Sequence, residues 1–164
     1  MTLEHDLKKL AEQEQRLQFE RFGPADAWSL GCALRSLAES RGQAVTIEIR
    51  LARELVFFHA MPGTAPSNAD WARRKRNTCE LLGRSSYRVG RELEQGGGTL
   101  ESKMGLATRD YASHGGAFPI TVRGMGVVGT VTVSGLPQRD DHALIVEVLA
   151  PLAGVPLSEV ALSD

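Results

Sequence analysis

The sequence predicts an α+β protein in which helices flank one antiparallel β-sheet. Apolar residues recur at helical spacing in some segments and alternate with polar residues in others, in the order helix, helix, strand, strand, helix, helix, strand, strand, helix. The chain has 164 residues, the length of one ordinary domain, and shows no internal repeat or long linker. We therefore expect residues 1–164 to form a single domain that begins with an amphipathic helix.

The first helix is predicted by leucines at helical spacing, with charged residues and glutamines on its other faces. These leucines are Leu3, Leu7, Leu10 and Leu17, and Glu14 interrupts their stripe. Such a seam packs either on the domain's own core or against a second subunit. A second helix follows over residues 23–42, with Pro24 at its start and Gly42 as its C-terminal stop.

The first hairpin is predicted where the apolar period changes from helical to alternating. Residues 45–51 alternate between aliphatic and polar side chains, which predicts a half-buried strand. Residues 54–61 are apolar on both faces, and Ala52–Arg53 supply a short turn between the two strands.

For the middle of the chain, the sequence predicts a loop, two helices and an irregular segment. Residues 62–70 contain two prolines and a glycine and predict a loop, after which Asn68 or Asp70 caps a helix from about Trp71 to Leu82. Residues 85–95 continue helically after Gly83. Residues 96–105 are rich in glycine, so we expect no regular structure there.

A second hairpin and a final helix complete the pattern. Residues 117–123 and 127–134 are predicted strands joined by a tight turn at residues 124–126. Asp140 and Asp141 open the last helix, where their charge suits the positive end of the helix dipole, and Pro151 ends it.

Gly129 is unusual because it interrupts a β-branched strand, where glycine weakens pairing and adds no packing. It shares a face with Val127, Val131 and Val133 and leaves a gap among them. Either a side chain from a packed helix fills that gap, or a ligand or neighbouring subunit approaches the backbone. The second reading predicts a pocket bounded by the loops 114–116 and 62–70 and by the start of the last helix.

Composition excludes several classes of protein. A formal net charge of −1 offers no broad field for nucleic acid or an anionic membrane. No apolar run approaches the roughly 18 residues that span a bilayer, so we expect a soluble, cytoplasmic protein. Cys32 and Cys79 read as small core residues in a reducing compartment, although their pairing stays open.

No motif identifies a reaction. The chain lacks His-x-x-x-His spacing, so no metal site is predicted, and it lacks both Gly-x-Ser-x-Gly and a dinucleotide-binding fingerprint. His114, which precedes Gly115 and Gly116, is either a loop histidine or a site residue. His142 lies in the first turn of the last helix, where the dipole favours its neutral form.

A basic cluster begins at residues 73–76 and continues at helical spacing to Arg91. This cluster has two interpretations: a binding site for carboxylates or phosphates, or a solvated helix face whose positive charge is neutralised by glutamates. An enzyme remains an alternative, with Lys75, Arg74 and Asp141 as binding or acid–base candidates.

Three stretches carry a resemblance to a known family: "VTIEI…ELVFFHAM", "SNADWARRK" and "HGGAFPITVRGMGVVGTVTVSGLPQRDDH". With these, the chain resembles the haem-degrading or haem-binding HbpS/GlcG family, and more closely its uncharacterised-protein-family branch, over about residues 28–149. The resemblance implies a profilin-like or PAS-like fold that assembles into symmetric oligomers. The family pattern is matched at Gly115, Gly116, Pro119, Gly126, Gly129, Ser134, Gly135, Asp140, Asp141 and Lys75.

The resemblance also implies a cofactor, since members of the wider family bind haem or related tetrapyrroles. We therefore expect an oligomeric small-molecule or cofactor-binding protein whose partners are its own copies and a small ligand. The alternative is a non-catalytic scaffold assembled through the N-terminal helix. The candidate binding residues are His114, Gly115, Gly116, Gly129, Lys75, Arg74, Asp141 and His142.

Overall fold

The computed structural model describes residues 2–163, which form seven helices and five strands. The helices are α1 (Leu3–Arg16), α2 (Pro24–Ser40), α3 (Pro66–Leu82), α4 (Ser86–Gly96), α5 (Leu100–Met104), α6 (Gln138–Leu152) and α7 (Leu157–Val160). The strands are β1 (Gln18–Phe19), β2 (Thr46–Leu51), β3 (Glu54–Ala60), β4 (Ala117–Val122) and β5 (Gly126–Ser134). The predicted α+β class is thus confirmed.

The five strands form one sheet in the order β1-β4-β5-β2-β3. Both predicted hairpins are present, and β5 pairs with β2 to join them, all antiparallel. The short strand β1 pairs parallel to β4, with Gln18 opposite Thr121. A two-residue strand carries no alternation, so sequence patterns could not predict it.

The hydrophobic core lies between one face of the sheet and the helices α2 and α6. Each strand contributes its alternate aliphatic residues, and both helices contribute an apolar stripe. The largest fully buried aliphatic side chains of this layer include Leu30, Leu34, Ile47, Ile49, Ile120, Leu144, Ile145 and Leu149.

The opposite face of the sheet is polar but equally covered, because α3 packs across it. Thr46, Thr130 and Thr132 are fully buried there, and Glu48 is nearly so. Glu48 accepts a hydrogen bond from Arg76 at 3.0 Å. The prediction that β2 is half-buried is therefore wrong. Its alternation separates an aliphatic layer from a hydroxyl-rich layer, and both lie away from solvent.

Strand β3 is an edge of the sheet with uneven burial. Phe57 packs into the core and meets Trp28 edge-to-face at 5.7 Å between ring centroids, whereas Leu55 and Phe58 are exposed. Residues 54–61 are apolar on both faces of the strand, and such a pattern is typical of a strand buried on both sides. The side of β3 that carries Leu55 and Phe58 remains open among the described residues.

Helix α1 lies on its own chain, the first of the two roles that its sequence allowed. Leu10 and Leu17 are buried, and Asp6, 1 % exposed, binds Arg91 at 3.1 Å and Arg139 at 2.8 Å. Ion pairs therefore anchor this helix to both α4 and α6.

Three boundaries differ from the predictions. Helix α3 starts at Pro66, where proline suits the first turn, so half of the predicted loop 62–70 is helical. The glycine-rich segment contains α5, because Thr99 and Ser102 form a capping box that starts a helix between the glycines. Pro151 lies inside the last turn of α6, which ends one residue later at Leu152.

Gly129 makes room for the chain's own backbone. A Cβ atom at this position would lie 2.1 Å from the carbonyl oxygen of Arg50 and 2.8 Å from a methyl carbon of Leu51. Leu51 is the residue paired with Gly129 on the neighbouring strand β2. The gap predicted from the valine pattern is thus filled within the sheet.

The side chains of Cys32 and Cys79 are free thiols. Across the described residues, none of the helices combines the length and apolarity that a membrane crossing requires.

Candidate ligand-binding site

A pocket of about 250 Å³ opens where α3 and α6 both begin, beside the end of β5 and the loop that contains His114. The polypeptide turns from β5 into α6 at this rim of the sheet, so the N-terminal turns of two long helices face the same space. The lining residues are Asn68, Trp71, Lys75, His114, Ser134, Gly135, Leu136, Gln138 and Asp141.

A buried ion pair forms the floor of this pocket. The Nζ atom of Lys75 lies 2.8 Å from Oδ2 of Asp141, and the two residues are 4 % and 1 % exposed. Lys75 also donates to the main-chain carbonyl of Val133 at 3.3 Å. The pair thus joins helix α3 to strand β5 and to the first turn of α6.

The Asp141 carboxylate receives two further hydrogen bonds, from the backbone N–H groups of Leu136 at 2.9 Å and Gly135 at 3.4 Å. Burial raises the pKa of this carboxyl, while the Lys75 ammonium and the two N–H donors act in the opposite direction. The Asp141 carboxylate is thus held by the Lys75 ammonium and by two backbone N–H groups. This arrangement favours a positioning role for Asp141 over proton transfer.

The glycine pair of the His114 loop lets the chain pass close to its own backbone. A Cβ atom on Gly115 would lie 2.2 Å from the carbonyl oxygen of Gln138, and one on Gly116 would lie 2.3 Å from that of Val133 and 2.8 Å from Nζ of Lys75. Gly116 also has a φ of +133°, which side-chain-bearing residues rarely adopt. Both glycines therefore lie behind the lining residues Gln138 and Lys75, and neither lines the pocket itself.

His114 stands at the mouth of the pocket against an aromatic neighbour. Its ring meets that of Trp71 edge-to-face, with 5.0 Å between centroids, and the Arg74 guanidinium lies 4.4 Å from the Trp71 centroid. His114 as a residue is exposed, but partial desolvation of its ring, together with the positive charges of Lys75 and Arg74, lowers its pKa. His114 is therefore a neutral imidazole at pH 7, and no residue within 2–163 hydrogen-bonds its ring.

Arg74 lies beside the pocket and is already engaged. Its guanidinium donates to the carbonyl oxygen of Thr108 at 2.7 and 3.2 Å while it stacks on Trp71. The basic cluster likewise forms ion pairs: Arg73 with Asp70 and Asp110, Arg76 with Glu48, and Arg88 with Glu14 and Glu92. This pairing favours the interpretation of a charge-balanced helix surface.

Six pocket residues were not among the candidate binding residues: Asn68, Trp71, Ser134, Gly135, Leu136 and Gln138. Asn68 and Trp71 fall in the stretch "SNADWARRK", and Ser134 in the glycine-interrupted strand, so the family resemblance marked all three. Gly135, Leu136 and Gln138 fall in the resembling stretch that ends "SGLPQRDDH", although none of them was predicted to bind a ligand. Gln138 reaches the pocket because α6 begins there, two residues before the predicted acidic start.

Five of the eight candidates do not line the pocket. Arg74, Gly115 and Gly116 lie beside or behind it, and Gly129 and His142 are farther away. Gly129 is near the opposite end of β5, five residues or about 17 Å from Ser134 along the strand. His142 is fully buried on the inner side of α6, between the rings of Tyr87 and Phe118, and its Nε2 atom lies 2.7 Å from Oε1 of Gln13. It faces α1 and the protein interior.

His142 makes stability depend on pH. Desolvation first, and then the charge of Arg139, lower its pKa to about 3. The unfolded histidine binds a proton below about pH 6.5 and the folded one does not, so stability is complete above that pH and falls as pH drops toward 3. We expect urea unfolding to show a loss of about 2 kcal/mol between pH 7 and pH 5 from this residue.

The matched variants for this prediction are His142→Phe and His5→Gln. Phenylalanine cannot be protonated, so His142→Phe removes that part of the pH dependence, whatever it does to stability at pH 7. His5 is exposed on α1, and its replacement leaves the dependence as it is. An unchanged slope in His142→Phe would contradict the assignment.

A second pocket of about 290 Å³ lies between β1 and the start of α2, lined in part by Phe19, Phe22, Arg21 and Arg123. It contains none of the residues predicted from sequence. Within the described residues, no three His, Cys, Asp or Glu side chains come together as a metal ion would require.

Comparison with known proteins agrees with this fold. Residues 22–150 match the family model described as haem degrading protein HbpS-like. The chain belongs to the HbpS-like family. That match includes both hairpins and every pocket residue.

The relatives of this HbpS-like chain extend over its whole length. A UPF0303 protein of Azotobacter vinelandii is 56 % identical over 164 residues, which is all of this chain and 99 % of the relative. The crystal structure of the Ybr137w protein superposes with a TM-score of 0.83 at 31 % identity, covering 90 % of this chain and 87 % of that one. The PduOC:haem complex has the same fold, with a TM-score of 0.67 at 18 % identity over 79 % and 93 % of the two chains.

Six of the ten positions that carry the HbpS-like pattern lie at the pocket or directly behind it. Lys75, Gly115, Gly116 and Asp141 surround the pocket floor, and Ser134 and Gly135 line its side. Gly129 instead allows the close approach of strand β2.

Proposed function

We propose that this chain binds a planar small molecule in the pocket between α3 and α6, with haem as the first candidate and His114 as its iron ligand. One observation carries the proposal. The His114 imidazole is held against Trp71 at the mouth of the pocket, and no described residue uses its ring nitrogens.

The residues present fit haem in their chemistry. Iron in haem proteins is commonly held by a neutral imidazole, and the lowered pKa of His114 keeps it in that form at pH 7. The Trp71 ring offers an aromatic contact for the macrocycle. The volume of about 250 Å³ lies below the 300–1,000 Å³ typical of drug-sized ligands, so the pocket would enclose one edge of the ring system.

When bound, haem supplies an iron centre for one-electron and oxygen chemistry. This chain would hold and orient the ligand: His114 would present a ring nitrogen, Trp71 would offer an aromatic contact, and the Lys75–Asp141 pair fixes the pocket floor. Membership of the HbpS-like family and the fold shared with a haem complex support the choice of ligand.

Haem titration followed by absorbance tests this proposal. The unmodified protein should give a saturable Soret shift, and His114→Ala should weaken binding about tenfold or more because the iron ligand is lost. His5→Ala and His59→Ala are the matched controls, since both histidines lie away from the pocket. The absence of saturable binding, or equal binding by His114→Ala, would contradict the proposal.

Self-association, which the family resemblance implies, stays a prediction. The structure favours a different surface from the predicted one, because the leucine seam of α1 packs on its own chain. Exposed Leu55 and Phe58 on the edge strand β3, with exposed Trp28 on α2, are better placed to meet a second copy.

A further inference from the structure

We infer that the pocket recognises a carboxylate group of its ligand through the side-chain amides of Asn68 and Gln138. The inference rests on the proposed binding function and names the chemical class that the pocket selects. It follows from the orientation of the two amides and from the charges around them.

The orientation of Asn68 is set by the first turn of α3. Its Oδ1 atom accepts a hydrogen bond from the backbone N–H of Ala65 at 2.9 Å. A backbone N–H requires an acceptor, so the amide oxygen must face it and the NH₂ group must point elsewhere. Within residues 2–163 no acceptor binds that NH₂ group, although the residue lines the pocket.

Gln138 repeats this arrangement on the other side. Its Oε1 atom accepts a hydrogen bond from the backbone N–H of Gly115 at 3.1 Å. The amide oxygen therefore faces Gly115, and the NH₂ group points away from it. This NH₂ group likewise has no acceptor in the described part of the chain. Gln138 is exposed and Asn68 half-buried, so both NH₂ groups contact water beside one pocket, and a ligand there would replace that water.

A third polar group is deeply buried at the same place. Ser134 is 3 % exposed and lines the pocket, and its hydroxyl makes no hydrogen bond to any described residue. Unlike the hydroxyls of Thr46, Thr130 and Thr132, which are buried without a partner, the Ser134 hydroxyl reaches the open space of the pocket. A ligand acceptor at this point would take the place of water.

The charges favour an anion. The Asp141 carboxylate is the sole acidic group among the lining residues, and Lys75 and two backbone N–H groups already bind it. The positive ends of the α3 and α6 dipoles both face this space, since Asn68 and Gln138 lie in the first turns of those helices. Neutral amides and one hydroxyl match a singly charged carboxylate better than a doubly charged phosphate, which arginine forks bind.

The test uses benzoate and benzamide, two flat molecules of the same size of which one carries the charge. Trp28→Phe removes the exposed indole on α2, so that fluorescence reports Trp71 in the pocket wall. Titration at constant ionic strength should show saturable quenching by benzoate and binding of benzamide that is about tenfold weaker or more, because the charge-assisted hydrogen bonds are lost.

Two isosteric variants identify the donors. Asn68→Asp and Gln138→Glu keep an oxygen that accepts from the N–H groups of Ala65 and Gly115, but each replaces the NH₂ donor with a negative oxygen. Each should weaken benzoate binding about tenfold or more. Gln95→Glu makes the same change on the exposed part of α4 and should leave the affinity as it is.

Equal affinity for benzoate and benzamide, no saturable binding of benzoate, or unchanged affinity in both variants would overturn the inference. These failures differ from a failure of the proposed function. Haem binding that depends on His114 could persist without carboxylate selection, and benzoate could bind through the amides in a protein that has no affinity for haem.

Discussion

Lys75→Met should lower the free energy of unfolding by about 3–5 kcal/mol, the largest effect we expect from a single polar substitution in this chain. The change leaves the Asp141 carboxylate almost fully buried without its cation, and only the two backbone N–H groups still bind it. Chemical denaturation at pH 7 measures the loss. The junction of α3, β5 and α6 should be affected first, because Lys75 connects all three.

Two further variants separate charge from packing. In Lys75→Met/Asp141→Asn the buried charge is gone, so part of the lost stability should return. Arg41→Met breaks the exposed pair with Glu147, 2.6 Å apart, and should cost less than about 1 kcal/mol. If Lys75→Met proves no more destabilising than Arg41→Met, the ion pair does not hold the pocket floor.

Gly129→Ala should destabilise the fold by about 3 kcal/mol. The added methyl group would lie 2.1 Å from the carbonyl oxygen of Arg50, a backbone atom that cannot move without separating two paired strands. Thermal or urea unfolding measures the effect. Ligand binding in the pocket near Ser134 should change little, since that end of β5 is distant.

Gly83→Ala is the matched control for adding a methyl group to a glycine. Gly83 ends α3 with a φ of +67° and has no atom within 4 Å of the added carbon, so the change costs only backbone strain of about 1 kcal/mol. Similar losses in Gly129→Ala and Gly83→Ala would mean that β2 and β5 can separate freely at that point.

Local patterns predicted most of the elements because they depend on neighbouring residues. The alternation of residues 45–51 and the turn at Ala52–Arg53 define the first hairpin, and both turn residues adopt positive φ as that hairpin requires. The predicted start of α3 lies five residues after the observed start at Pro66. Residues 62–70 carry loop signals, but they also contain a proline that suits a first helical turn.

The pocket could be predicted only in part, because it forms where distant segments meet. Lys75 and Asp141 are 66 residues apart, and no spacing rule joins them. Lys75, Asp141 and the glycine pair are positions where the family pattern is matched. Gln138 lies in a resembling stretch but is not one of those positions, and its place at the pocket is seen only in the fold. For Gly129, sequence indicated a close approach, and the structure shows that the approaching group is strand β2.

One face of the sheet carries aliphatic side chains and the other carries mainly polar ones, and this separation has a consequence for the evolution of the family. Leu136 packs against the aliphatic cluster between the sheet and the helices α2 and α6, whereas the other apolar pocket residue, Trp71, is not part of that cluster. Asn68, His114 and Gln138 can therefore be exchanged over evolutionary time while the scaffold keeps its packing. Descendants of one ancestral fold could in this way come to bind quite different compounds.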